Sequence, residues 1–143
     1  MQEPITIQVN IDSAIEKVWE FYTQPEHIVK WNNASEDWHT PHAENDLRVG
    51  GRFLSRMEAK DGSAGFDFEG TYDAVETYAQ LAYTMDDGRQ VSVDFISDSE
   101  GSENAETKVI VTFDPESTNS LDMQREGWQA ILNNFKKYVE SES

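Results

Sequence analysis

The chain has no cysteine among its 143 residues, which excludes disulfides, thiolate nucleophiles and zinc–thiolate centres together. Basic residues are scarce. Eleven Lys and Arg stand against 28 Asp and Glu, a formal net charge of -17. Such a surface repels phosphate backbones and anionic headgroups, so neither nucleic acid nor membrane is an expected partner. No stretch approaches the ~18 apolar residues of a membrane span, and the opening MQEPITIQVN has neither a basic leader nor an apolar signal core. The expected location is the cytoplasm. Nucleophile-elbow (G-x-S-x-G) and phosphate-loop (G-x-x-x-x-G-K) patterns are also missing. Within the acidic run SDSEGSENAE (97 to 106), the loop DSEGSE (98 to 103) has Gly101 at its fourth position, where a calcium-binding EF-hand needs it at the sixth; the run reads as a charged turn.

What is present is a change of period. ITIQVNI (5 to 11) alternates Ile5, Ile7, Val9 and Ile11 with polar residues, as a strand with one buried face does. Ser13 and Glu16 have capping-box spacing ahead of a helical stripe of Ile15, Val18, Trp19 and Tyr22. Thr23 and Glu26 repeat that spacing, with Pro25 placed for a helix first turn. From there a period of two runs for some eighty residues and predicts strands near 36–44, 51–59, 65–76, 79–86, 89–97 and 106–113, an antiparallel meander. Asp61-Gly62 and Asp87-Gly88 are hairpin dipeptides, expected in type I′ turns. After Pro115 the helical period returns, with Leu121, Trp128, Ile131, Leu132, Phe135 and Val139 on one stripe of about twenty residues. No linker or repeat interrupts the order, and at this length one domain, residues 1–143, with one core is expected. The fold class is α+β: a curved antiparallel sheet of about seven strands, two short helices after the first strand, and a long C-terminal helix across the concave face.

The most charged part of the meander, GGRFLSRMEAKDGSAGFDFEGTY (50 to 72), is resolved by parity. With Asp61-Gly62 at the turn, paired positions sum to 123, so that Arg56 faces Asp67, Leu54 faces Glu69, Met57 faces Phe66 and Phe53 faces Gly70. One face then gathers Phe53, Ser55, Met57, Phe66, Phe68 and Tyr72, and the other Arg52, Arg56, Glu58, Asp67, Glu69 and Asp73. A slip of one residue would set apolar side chains against charges throughout, which fixes the register. The charges are therefore expected outside, as cross-strand ion pairs. Asp67 and Glu69 have the separation of a glycosidase pair, but a solvated face beside two arginines supplies neither a cleft nor a raised pKa.

Four ordered segments, SAIEKVWEFYTQPEHIVKW (13 to 31), DWHTPHAENDLRVGGRF (37 to 53), GFDFEGTYDAV (65 to 75) and GWQAILNNFKKYVE (127 to 140), resemble the SRPBCC, or START-like, superfamily. Within it they are similar to the domain homologous to the C-terminal part of the activator of the heat-shock chaperone ATPase. The resemblance spans essentially the whole chain and implies a helix-grip fold. It also implies ligand chemistry, since many small members bind apolar molecules and some are cyclases or hydrolases. Chaperone activation in that family also uses a separate N-terminal domain, so the co-chaperone role is not carried over.

Candidate site residues follow from the inner face. Trp31, Trp38, Phe53, Met57, Phe66, Phe68, Tyr83, Phe95, Trp128 and Leu132 are expected to project into the interior. His39 and Arg125, with Ser55, Tyr72 and Tyr83, are the candidate polar contacts; Arg125, three residues before Trp128, is placed to anchor an anionic head. His39, His42 and Glu44 tempt a metal assignment, but residues three apart on a regular strand point to opposite faces, so no metal and no cofactor is expected. The leading expectation is binding of a small hydrophobic or amphipathic molecule between sheet and helix. The alternatives are a cyclase, dehydratase or hydrolase using pocket polar groups as acid or base, and a module that binds protein partners, chaperones among them, through its acidic surface.

Overall fold

A computed structural model describes residues 3–33, 36–97, 106–117 and 119–141. Seven strands form a single antiparallel sheet: β1 (Ile5–Ile11), β2 (Trp38–Asn45), β3 (Arg52–Ala59), β4 (Gly65–Glu76), β5 (Gln80–Met85), β6 (Gln90–Ser97) and β7 (Thr107–Phe113). Their spatial order is β1-β7-β6-β5-β4-β3-β2, so the meander runs unbroken from β2 to β7 and β1 closes on β7. Helices α1 (Ile15–Thr23) and α2 (Pro25–Trp31) join β1 to β2, and α3 (Leu121–Ser141) lies on the concave side. This is the helix-grip arrangement. Strands and helices fall within two residues of the spans the periodicity predicts. Most of the acidic stretch, residues 98–105 with Gly101, lies outside the described residues.

The pairing sum of 123 is the observed β3–β4 register, with Arg56 opposite Asp67 and Met57 opposite Phe66. On the convex side Arg56 bonds Glu58 at 2.9 Å and reaches Asp67 at 3.4 Å, while Arg52 bonds Asp86 at 2.8 Å. These pairs are well exposed and contribute little to stability. Glu69 faces the same side, where the neighbouring Asp86 carboxyl, by hydrogen bonding to it, raises its pKa above the usual carboxylate range.

Several local expectations are corrected. Neither capping box forms: Ala14 and Gln24 are the N-caps and neither helix has a side-chain cap. The Thr23 hydroxyl instead donates back to the Trp19 carbonyl at 2.8 Å, because Thr23 still belongs to α1. The two Asp-Gly turns are not type I′. Only Gly62 (φ 80°) and Gly88 (φ 96°) are left-handed, and Asp61 and Asp87 each accept a bond from the backbone N–H two residues on. The Gly88 N–H donates to Met85 O and the Met85 N–H to Arg89 O, a type I turn completed by a left-handed glycine. The strand-parity argument for the histidines also fails. Strand β2 shifts register between His39 and His42, at Thr40-Pro41, so His39 opposite Glu58 and His42 opposite Arg56 both face outward. Proline lacks the ladder donor and is tolerated there because β2 is an edge strand with a bulge. No cluster of three metal-ligating side chains occurs among the described residues.

A second register shift, between Tyr72 and Ala74, bends the long β4. Together with sheet twist it curls β3 and β4 away from α3, which packs on β1, α1 and α2. The contact with β1 is polar as well as apolar: Arg125, Gln129 and Lys136 donate to the carbonyls of Thr6, Gln8 and Asn10 at 2.9, 3.2 and 2.7 Å. One side of α3 is thus stitched to the sheet edge. Another side looks across open space at β3 and β4.

Candidate ligand cavity

That space is a cavity of about 480 Å³, within the ~300–1,000 Å³ typical of small-molecule sites. The sheet supplies Phe53, Ser55, Met57, Phe66, Phe68, Leu81 and Tyr83; α1 and α2 supply Tyr22, Ile28 and Trp31; α3 supplies two adjacent rows, Met123-Gly127-Ile131 and Gln124-Trp128-Leu132. The rows follow from helical spacing, since residues four apart share a face.

The walls are built by aromatic packing. Trp128 stacks on Phe113 with centroids 4.0 Å apart and meets Phe68 edge-on at 6.0 Å, so its ring roofs the gap between β7 and β4. Phe53 lies against Tyr83 at 4.6 Å and Tyr72 at 5.4 Å. This needs Gly70 directly opposite: a Cβ there would stand 3.1 Å from the Phe53 ring and 2.6 Å from the Thr84 carbonyl oxygen. In α3, by contrast, a Cβ on Gly127 would meet nothing within 4 Å. A glycine in mid-helix weakens the helix, and here it opens the lining where a ligand would lie against the backbone.

Three tyrosines bring hydroxyls to this interior. Tyr72 donates to Asn45 Oδ1 at 2.6 Å, and the Asn45 amide donates to the Thr23 carbonyl at 2.6 Å, which fixes its orientation. Burial raises the pKa of Tyr22, Tyr72 and Tyr83 above the ordinary 10.0; Tyr72 further raises Tyr22, and both raise Tyr83. All three are neutral phenols at physiological pH. Arg89, also in the lining, bonds Asp87 at 2.7 Å. At the α3 N-terminus the buried Gln124 side chain accepts from the Glu116 N–H at 2.8 Å and donates to the carbonyls of Glu116 and Asn119 at 3.1 and 2.9 Å.

Ten of the fourteen candidate residues named from the sequence line the cavity: Trp31, Phe53, Ser55, Met57, Phe66, Phe68, Tyr72, Tyr83, Trp128 and Leu132. Four do not. Phe95 is buried behind it, edge-on to Trp19 at 5.1 Å and Tyr22 at 5.5 Å. Trp38 packs outside it, against Phe66 at 6.1 Å. His39 is turned outward by the β2 bulge, 3.8 Å from Glu58. Arg125 is exposed and held by Thr6, on the stitched side of α3. Sequence reasoning missed the Tyr22 hydroxyl, because Tyr22 read as core; it missed Asn45 and Arg89, which carry no motif. It missed Gly127 as well, although this is the one glycine within the C-terminal helical span.

A curled antiparallel sheet gripping a long helix around an apolar cavity defines a class of fold that commonly holds hydrophobic ligands. The chain belongs to the family described as activator of Hsp90 ATPase homolog 1-like protein, whose model matches residues 12–140. Among solved structures it is similar to the AHSA1-like protein from Aeromonas hydrophila at 48% identity and a TM-score of 0.84, covering 96% of this chain and 93% of that one. A protein from Cytophaga hutchinsonii is 47% identical, with a TM-score of 0.80 over 97% and 93% of the two chains. A Nitrosomonas europaea protein shares the fold at 18% identity, with a TM-score of 0.82 over 99% and 96%. No curated protein matches the chain. Among the described residues, no helix is long and apolar enough to cross a membrane.

Proposed function

We propose that this protein binds a small apolar or amphipathic molecule in the cavity between β3–β5 and α3. The observation that carries the reading is the lining: a space of about 480 Å³ walled by Phe, Trp, Tyr, Met, Ile and Leu, with a glycine on the helix side where a side chain would fit. Apolar surface of this kind gains about 25 cal/mol per Å² when a ligand covers it. Of the groups first considered for acid–base work, His39 and Arg125 stand outside while Tyr72 and Tyr83 line the cavity, where burial holds both phenols neutral, which suits hydrogen bonding to a ligand more than proton transfer. The test is an NMR titration with a panel of lipids and polyphenols. Binding should shift the Trp128 indole and Tyr83 ring resonances, and Arg125→Ala and His39→Ala should leave affinity within about twofold, since neither lines the cavity. Panel-wide failure to move Trp128 and Tyr83 would defeat the reading.

A further inference from the structure

Resting on that reading, the shape of the polar part of the cavity narrows the ligand. Of the three tyrosine hydroxyls that face the interior, only that of Tyr72 has a protein partner, Asn45 at 2.6 Å. Those of Tyr22 and Tyr83 bond to no described residue. Nor is either sealed away, because among the described residues no fully buried side-chain oxygen lacks a partner. Both residues line the cavity, and we infer that it is the space their hydroxyls open into. The Tyr72 and Tyr83 rings lie edge-on at 6.1 Å on neighbouring strands, in register opposite one another, and Tyr22 approaches from α1. A phenol that could equally have been phenylalanine costs stability when it is left without a partner. Two such groups on the wall of one apolar space, near enough that the charge of one would raise the pKa of the other, mark where a ligand's polar atom belongs.

We propose that Tyr22 and Tyr83 form a paired-donor subsite for an uncharged acceptor oxygen, a ketone or ester carbonyl, on an otherwise apolar ligand. A carbonyl has two lone pairs and accepts both phenolic protons. A carboxylate also accepts, but it would have to shed its water, Glu44 and Glu116 already place negative charge in the lining, and Arg89, the one arginine among the described lining residues, is engaged by Asp87 at 2.7 Å. The same burial that keeps the three tyrosines un-ionised disfavours any net charge brought beside them.

The experiment compares three probes of nearly one shape: 2-acetylnaphthalene, 2-ethylnaphthalene and 2-naphthoate, titrated calorimetrically into the whole protein, with the infrared carbonyl stretch of the bound ketone as a second readout. The ketone is expected to bind about tenfold tighter than the hydrocarbon and tighter than the carboxylate, with its stretch moved to lower frequency. Tyr22→Phe and Tyr83→Phe should each remove part of the ketone's advantage and of its frequency shift while leaving the hydrocarbon unchanged. Equal affinity for ketone and hydrocarbon, or a carboxylate that binds tightest, overturns the subsite and leaves the cavity reading standing. Absence of binding by all three overturns both.

Discussion

Replacing Gly127 with alanine separates the two demands that α3 meets. The position is mid-helix, seven residues into a 21-residue element, and its backbone is helical, so alanine is conformationally permitted. Helix propensity alone favours alanine by about 1 kcal/mol, chiefly because glycine loses more backbone freedom on folding. Nothing opposes that gain, since the added Cβ would meet no atom within 4 Å. The whole effect should survive in the folded protein, giving a rise in melting temperature of about 3–4 °C and a parallel increase in the urea midpoint with unchanged slope. The same methyl projects into the cavity between Met123 and Ile131, so a ligand that fills the space should bind more weakly to the more stable protein. Opposite signs for stability and affinity are the diagnostic result. A destabilised Gly127→Ala would refute the reasoning, because it would mean that the space beside the helix is already filled.

Gly70→Ala is expected to act in the reverse sense: its Cβ would stand 2.6 Å from the Thr84 carbonyl, so strand separation or Phe53 displacement should cost about 1–3 kcal/mol in chemical denaturation. The tyrosines predict a pH dependence. Each has a folded pKa raised above the unfolded 10.0, so the stability they confer is complete below pH 10 and is lost as pH climbs from there towards their folded values. The loss is about 1.4 kcal/mol per pH unit for each of the three. Absorbance at 295 nm should show Tyr22, Tyr72 and Tyr83 ionising only together with unfolding; smooth titration of all five tyrosines near pH 10 in a protein that remains folded would contradict it.

The sheet was legible in the sequence because its two faces are chemically opposite. Arg52, Arg56, Asp67 and Glu69 cannot exchange places with Phe53, Met57, Phe66 and Phe68, so a single register satisfies both solvents, and the observed pairing is that register. Bulges are local insertions that leave the pattern readable on either side while changing its phase, which is why His39 and His42 were assigned to different faces and share one. Helix caps were over-read for a related reason. Ser13-Glu16 and Thr23-Glu26 have the right spacing, but the chain's path puts Ala14 and Gln24 at the caps. For the cavity, residue type sufficed where the strand phase was unambiguous, as at Phe53, Phe68 and Trp128. It did not suffice for Arg125, whose place on α3 depends on which side of the helix meets β1. Nor could it show that the Tyr22 hydroxyl opens into space, since a buried tyrosine and a cavity tyrosine have the same letters around them.

The stitching of α3 to β1 bears on how this molecule behaves in a crowd. An open sheet has two outer strands whose free carbonyls and N–H groups invite a strand from another molecule. On β1 the carbonyls of Thr6, Gln8 and Asn10 are already taken by Arg125, Gln129 and Lys136. On β2, at the other margin, Pro41 removes a donor and the bulge beside it breaks the straight run of backbone that an incoming strand would need. Both margins are thereby made poorer templates for strand addition, so the curled sheet can keep an apolar hollow at its centre while its borders offer less to fibril growth.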